Sequence, residues 1–292
     1  MLLLLLSCAP AKDEPLGTPV VDDTPVVDPV PVDLCAFGIM EPVGELTDPE
    51  LTETSGLVQS RRDADRFWAH NDSGDSPRLF ALSESGAALG IVTLELENAV
   101  DWEDMAAGTL GGEPVLVIGD IGDNQKKRQD IKVHWLPEPT ETTGVNLPVN
   151  TITLSYPDGA RDSEAMFVDP VSGDLILVAK SAGTEIYRLA APWKDGELEQ
   201  VGNLVFGDED LPGGNRVTGA DASGSRVILR TYTHLFVFQI PEGGTAIEAL
   251  AGPACEVPVA AEMQGESVAM GEQSYWTISE GLMAPVHRAV AE

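Results

Sequence analysis

A short motif returns five times along this chain, and that recurrence limits what the chain can fold into. It reads ETSGLVQS at 53–60, DWEDMAAG at 101–108, DSEAMFVD at 162–169, RVTGADAS at 216–223 and QGESVAMG at 264–271. Aligned at their third residue, the copies place Ser55, Glu103, Glu164, Thr218 and Glu266 at spacings of 48, 61, 54 and 48 residues. A period of roughly 40–50 residues is that of one four-stranded propeller blade. No long stretch between the copies keeps a helical period. Short β-rich runs follow one another instead, among them RFWAH, PRLFALS, PVLVIGD, NTITLSY, DLILVAK, SRVILRTY and HLFVFQI, bounded by Gly, Pro, Asp or Asn. Strands joined by tight turns read this way.

Five copies predict an all-β protein, a five-bladed β-propeller of four-stranded antiparallel blades over residues 35–292. The last copy opens at Gln264 and leaves 29 residues, enough for three strands, SVAMG, SYWTIS and PVHRAV. The fourth is expected from CAFGIMEPVGEL at 35–46, so that the N-terminal strand closes the last blade. A ring closed by both chain ends leaves no free sheet edge. Cys35 and Cys255 then fall on neighbouring outer strands. A disulfide between them would close a loop of over 200 residues, worth up to about 5 kcal/mol in chain entropy; two buried free thiols are the alternative.

The first 34 residues read differently. Leu2–Leu6 is too short to cross a bilayer, which takes about 20 residues. With Ser7, Cys8 and Ala9 it resembles the end of a bacterial lipoprotein signal, which implies lipid attachment at Cys8; an accidental Leu run before a Cys is the other reading. The signal remnant covers 1–8. Residues 9–34, with PVVDDTPVVDPVPVD at their end, form an extended Pro/Val/Asp linker, because proline fixes φ and the aspartates repel one another. An anchor and a spacer together predict an exported protein held at a membrane and facing the periplasm or cell surface, where a disulfide is permitted.

The chain carries 48 Asp+Glu against 17 Lys+Arg, a net charge of −31. Nucleic acid and anionic headgroups are thereby excluded as partners, and contact with a membrane is left to the N-terminal lipid. Six of the acids and one of the bases lie in residues 1–34, so most of the imbalance belongs to the folded body. Much of it reads as solubilising surface. The informative part is the motif itself. If its strand is innermost, Glu103, Glu164 and Glu266 converge near the channel axis with Ser55 and Thr218 between them. Carboxylates facing one another away from water need a counterion. Ca²⁺ fits, as a hard cation taking 6–8 oxygen ligands, and the absence of His or Cys from the motifs disfavours zinc. Alternatively, some of these glutamates face solvent or bond a neighbouring blade's amides.

These motifs carry a resemblance. ETSGL, DWEDM, DSEAM, VTGAD and QGESVAM, with a strand ending in SEG near the C-terminus, are similar to the SdiA-regulated group of bacterial propeller proteins. The resemblance covers about 35–292 and implies a five-bladed, calcium-binding fold. GDIGDN at 119–124 and HNDSGD at 70–75 look like features of an exported subgroup. It says little about activity.

The ends of the second strands supply a second ring at one mouth: His70, Asn71 and Asp72, Asp120, Lys180, Arg230 and Glu280. Asn71, Asp72, Lys180, Arg230 and Glu280 are candidate ligand-binding residues, with Arg230 offering a fork and Lys180 a point charge for an anion; each base pairing with a ring glutamate is the alternative. His70 and Asp120 are candidate catalytic bases. HNDSGD and GDIGDN space Asp and Asn as calcium loops do, but neither matches the EF-hand, and tight Asx turns explain them equally well. No GxSxG, phosphate-binding lysine loop, GxGxxG or HExxH motif occurs. The expected protein is a monomer that binds calcium in its channel and a small anionic ligand or a protein at one face. The alternative is a calcium-dependent hydrolase of an anionic ester, a phosphomonoester or a lactone.

Overall fold

The computed structural model describes residues 35–181, 183–204 and 213–292. Cys8, the signal remnant 1–8 and the linker 9–34 lie outside the described residues. Five sheets make up the body. Blade 1 runs Thr54–Gln59, Arg66–Asn71, Arg78–Ser83 and Ala88–Leu94, from inside outward. Blade 2 follows with Trp102–Leu110, Glu113–Asp120, Ile131–Pro137 and Asn150–Ser155. Blade 3 is Ser163–Val168, Leu175–Ala179, Glu185–Leu189 and Glu199–Asn203; blade 4 is Val217–Ser223, Arg226–Thr231, Leu235–Gln239 and Cys255–Val257. Blade 5 combines Gly265–Met270, Ser274–Ser279 and Pro285–Val290 with the N-terminal strand Glu41–Glu45. Innermost strands touch in chain order, and that of blade 5 returns to that of blade 1. The propeller is five-bladed, as the five motif copies require.

Packing between blades explains the strand sequences. Among the described residues there are five hydrophobic clusters, and each is shared by two adjacent blades. In Ser163–Val168, Ala165 and Phe167 pack with blade 4, while Met166 and Val168 pack with blade 2. Successive side chains of a strand point to opposite faces. Here both faces are buried, so the strand reads as a continuous apolar run rather than an alternation.

Two of the sheets hold a fifth strand. Asn146–Leu147, on the way to the last strand of blade 2, pairs in parallel with Thr93 and Leu94 of blade 1. Gly196–Glu197, from blade 3, does the same for Leu154 and Ser155 of blade 2. Each addition covers an outer edge that would otherwise offer unpaired amides to another chain. The ring is closed by Glu41–Glu45 against Pro285–Val290 and by a bridge from Phe37 to Ala291. Cys35 and Cys255 form a disulfide across 220 residues, with Cα atoms 5.5 Å apart. It joins the N-terminal segment to the outer strand of blade 4. No helix among the described residues is long and apolar enough to cross a membrane.

Candidate metal centre

All five aligned motif residues share one backbone feature. In each innermost strand the ladder skips a residue: Ser55, Glu103, Glu164, Thr218 and Glu266 are each the extra residue of a β-bulge. A bulge leaves one residue out of register and re-aims its side chain. The recurrence found in the sequence is therefore a recurrence of geometry.

The two hydroxyl-bearing members tie neighbouring blades together. Ser55 Oγ donates to the main-chain carbonyl of Glu103, and Thr218 Oγ1 donates to that of Gly265 at 2.9 Å. The three glutamates keep their carboxylates for the channel mouth. Antiparallel pairing brings the ends of the second strands to the same mouth, with Asn71 opposite Thr54, Asp120 opposite Trp102, Ala179 opposite Ser163, Thr231 opposite Val217 and Ser279 opposite Gly265.

Seven carboxylates among the described residues meet there. Glu103, Asp162 and Glu164 bring ligand oxygens within 4.8 Å of one another; so do Asp72, Glu266 and Glu280, and so do Asp72, Asp101 and Glu103. They come from blades 1, 2, 3 and 5 and the turns leading into them. Blade 4 contributes Tyr232, whose hydroxyl donates to Glu266 Oε1 at 3.2 Å. Lys180 is bonded to Glu164 and lies 5.1 Å from the centre of the Tyr232 ring. Burial, followed by the charge of Glu164, pushes the Glu103 carboxyl up to about 11. Burial likewise raises Glu164 to about 8, against the pull of Lys180, and raises Glu280 to about 8 with help from Glu266. Glu103 is 5% exposed, and its carboxylate has no hydrogen bond among the described residues. A buried carboxylate without a donor and among other carboxylates lacks a positive partner. An all-oxygen donor set without imidazole or thiolate fits a hard divalent cation such as Ca²⁺.

The other sequence-predicted residues are placed as follows. Asn71 is spent on local structure: its Oδ1 accepts from the Thr52 and Glu53 amides at 3.0 Å, and its Nδ2 donates to Glu50 O and Asp75 Oδ2 at 2.8 Å. Arg230 is fully buried, bonded to Glu262 and to Ser267 O at 2.9 Å. Asp120 is 1% exposed and paired with Arg128 at 2.8 Å. His70 is fully buried, with Nδ1 at 2.8 Å from Asn71 O and its ring edge-on to Trp102; burial holds its imidazole below the usual range. His70 offers no open face to a substrate, while Asp120, with Lys132 and His134, lines a cavity of about 200 Å³.

GDIGDN folds as a turn beneath the cluster. Gly122 N donates to Asp101 O at 3.2 Å, Asp123 N donates to Asp162 Oδ1 at 2.9 Å, and Arg128 closes the loop on Gly122 O. In HNDSGD, Asp75 pairs with Arg78 at 2.8 Å and leaves Asp72 to the carboxylate group.

Sequence reasoning missed Asp101, Asp162 and Tyr232. A signal for the first two exists: each stands two residues before a motif glutamate, in DWE and DSE. The opposite mouth has a different character. Arg61 reaches across to Ala107 O, Ala222 O and Ser223 Oγ, and a cavity of about 470 Å³ opens beside it.

No family model and no curated protein matches the chain. Solved propeller-like structures do align with it. The Malassezia sympodialis allergen Mala s 1 is 9% identical, with 84% of this chain and 94% of that one covered and a TM-score of 0.49. A protein described as a gluconolactonase is 13% identical over 89% and 95% of the two chains, with a TM-score of 0.47. The glutaminyl cyclase of Myxococcus xanthus is 13% identical over 87% and 98%, with a TM-score of 0.44.

Proposed function

We propose that this protein is an exported calcium-binding propeller whose metal-bearing mouth receives a small ligand or a protein partner. One observation carries the metal reading: seven carboxylates from four blades gather at one mouth, with Lys180 as the ammonium among them. Export is supported by the leader-like residues before Cys8 and by the Cys35–Cys255 disulfide. The rival hydrolase reading asks Lys180 and Arg230 to hold an anionic ester. Lys180 is engaged with Glu164, and Arg230 is buried against Glu262. The binding reading is favoured for that reason.

Calorimetry and thermal melting with Ca²⁺ or chelator test it. Heat of binding and a calcium-dependent rise in Tm are expected, both lost on combining Glu103→Gln with Glu266→Gln. No heat and an unchanged Tm would overturn it. Calcium-dependent turnover of a phosphomonoester or lactone would favour the hydrolase instead.

A further inference from the structure

We infer that the mouth holds two divalent cations, on two carboxylate sets that share no residue: Glu103, Asp162 and Glu164, and Asp72, Glu266 and Glu280. This rests on the calcium reading above and goes beyond it in number and place. Equivalent positions in a repeat suggest a single axial ion shared by Glu103, Glu164 and Glu266. The structure divides them. Glu103 and Glu164 gather with Asp162, whereas Glu266 gathers with Asp72 and Glu280, and every ligand oxygen within a set lies within 4.8 Å of the others.

Each set alone carries three carboxylates, more than enough charge for one divalent ion, with room for carbonyls and water to complete 6–8 oxygens. The third group, Asp72, Asp101 and Glu103, borrows one member from each set. Filling it alone would draw one member from each set and leave Asp162, Glu164, Glu266 and Glu280 without an ion, so Asp101 serves as negative charge between two positive ions. Charge favours the same count. With all seven carboxylates ionised and Lys180 protonated, six negative charges remain. One divalent ion cancels two of them, and a second ion cancels two more. An observation independent of the count points to a ligand: Glu103 is only 5% exposed, its carboxylate has no hydrogen bond among the described residues, and it sits where the two sets meet.

The sets are unequal. Glu164 already holds Lys180, while in the other set Glu266 meets the Tyr232 hydroxyl and Glu280, neither of them a cation. The set of Asp72, Glu266 and Glu280 therefore fills first, and the set beside Lys180 fills second.

Native mass spectrometry and calorimetry of the whole chain with Ca²⁺ alone count the ions. Two per chain are expected, in two steps of different affinity. Asp162→Asn should abolish the weaker step and Glu280→Gln the tighter one, each variant retaining one ion. A single ion at saturation in the unaltered protein overturns the inference and leaves the calcium reading intact, and that result needs no variant to fold. Two ions in both variants would overturn the assignment to these sets. No ion at all would remove the calcium reading itself.

Discussion

Gly122 lies so close to Glu103 that a Cβ built on it would stand 2.1 Å from Glu103 Oε1, and 2.7 Å from the Asp101 carboxylate. The glycine leaves room here for two acidic side chains over the GDIGDN turn. Gly122→Ala should therefore act on the metal more than on the fold. The obstructed atoms are the ends of side chains that can swing away, so in chelator Tm should change by only a few degrees, as for a cost of about 1 kcal/mol. Displacing both carboxylates should weaken Ca²⁺ binding at least about tenfold, or about 1.4 kcal/mol. Titration calorimetry decides, and an unaltered affinity would remove Glu103 from the ligands.

Lys180 is the cation already present at the centre. Its side chain is 13% exposed and that of Glu164 only 4%. Removing one partner of such a pair typically costs about 3–5 kcal/mol, because the other charge is left buried. Lys180→Met should show a loss of that order in urea denaturation with chelator. Ca²⁺ should restore much of it, and should bind the variant more tightly, since Glu164 no longer holds an ammonium. Equal losses with and without Ca²⁺ would separate Lys180 from the metal centre.

What the sequence revealed and what it hid differ for physical reasons. The motif residues were legible because all five obey one backbone demand, the bulge at Ser55, Glu103, Glu164, Thr218 and Glu266. Strands such as SEAMFV were legible because both faces meet a neighbouring blade. The grouping of the carboxylates was not. Whether Glu266 joins Glu103 or Asp72 depends on which turn lies across the channel, and no spacing along the chain encodes that. Lys180 follows the ladder partner of Ser163, whereas Arg230 precedes that of Val217, so Tyr232 is the counterpart of Lys180; Lys180 reaches a motif glutamate and Arg230 a buried Glu262 from the segment before blade 5. The two fifth strands pair over two residues each, too few for any periodicity to show.

The Arg230–Glu262 pair yields a contrasting prediction. Glu262 also accepts from Thr277 Oγ1 and faces His287 Nδ1, each at 2.9 Å. Arg230→Met should strand a carboxylate whose side chain is 1% exposed, at a cost again of about 3–5 kcal/mol. Adding Glu262→Gln should recover part of that loss, and the double-mutant cycle in denaturant measures it. The number of Ca²⁺ ions bound should stay the same throughout. A loss of calcium on Arg230→Met alone would tie this pair to the centre.

His134 sets a pH limit away from the carboxylates. It is 3% exposed, with Nδ1 2.8 Å from Thr151 Oγ1, and burial holds its imidazole down to about 4, Lys132 adding to the effect and Asp120 opposing it. In the unfolded chain a histidine titrates near 6.5. Between those values the unfolded chain binds a proton that the folded protein refuses, so stability is complete above pH about 6.5 and falls as the pH drops toward 4. A depression of this size corresponds to about 3 kcal/mol. Asp221 works in the opposite sense over part of the range, since burial raises it to about 6, so the useful comparison is between variant and parent. His134→Gln, which can keep the bond to Thr151, should lessen the loss of stability between pH 6.5 and 4 by roughly that amount when both proteins are unfolded in urea with chelator. Parallel curves for the two proteins would show that His134 does not set the limit.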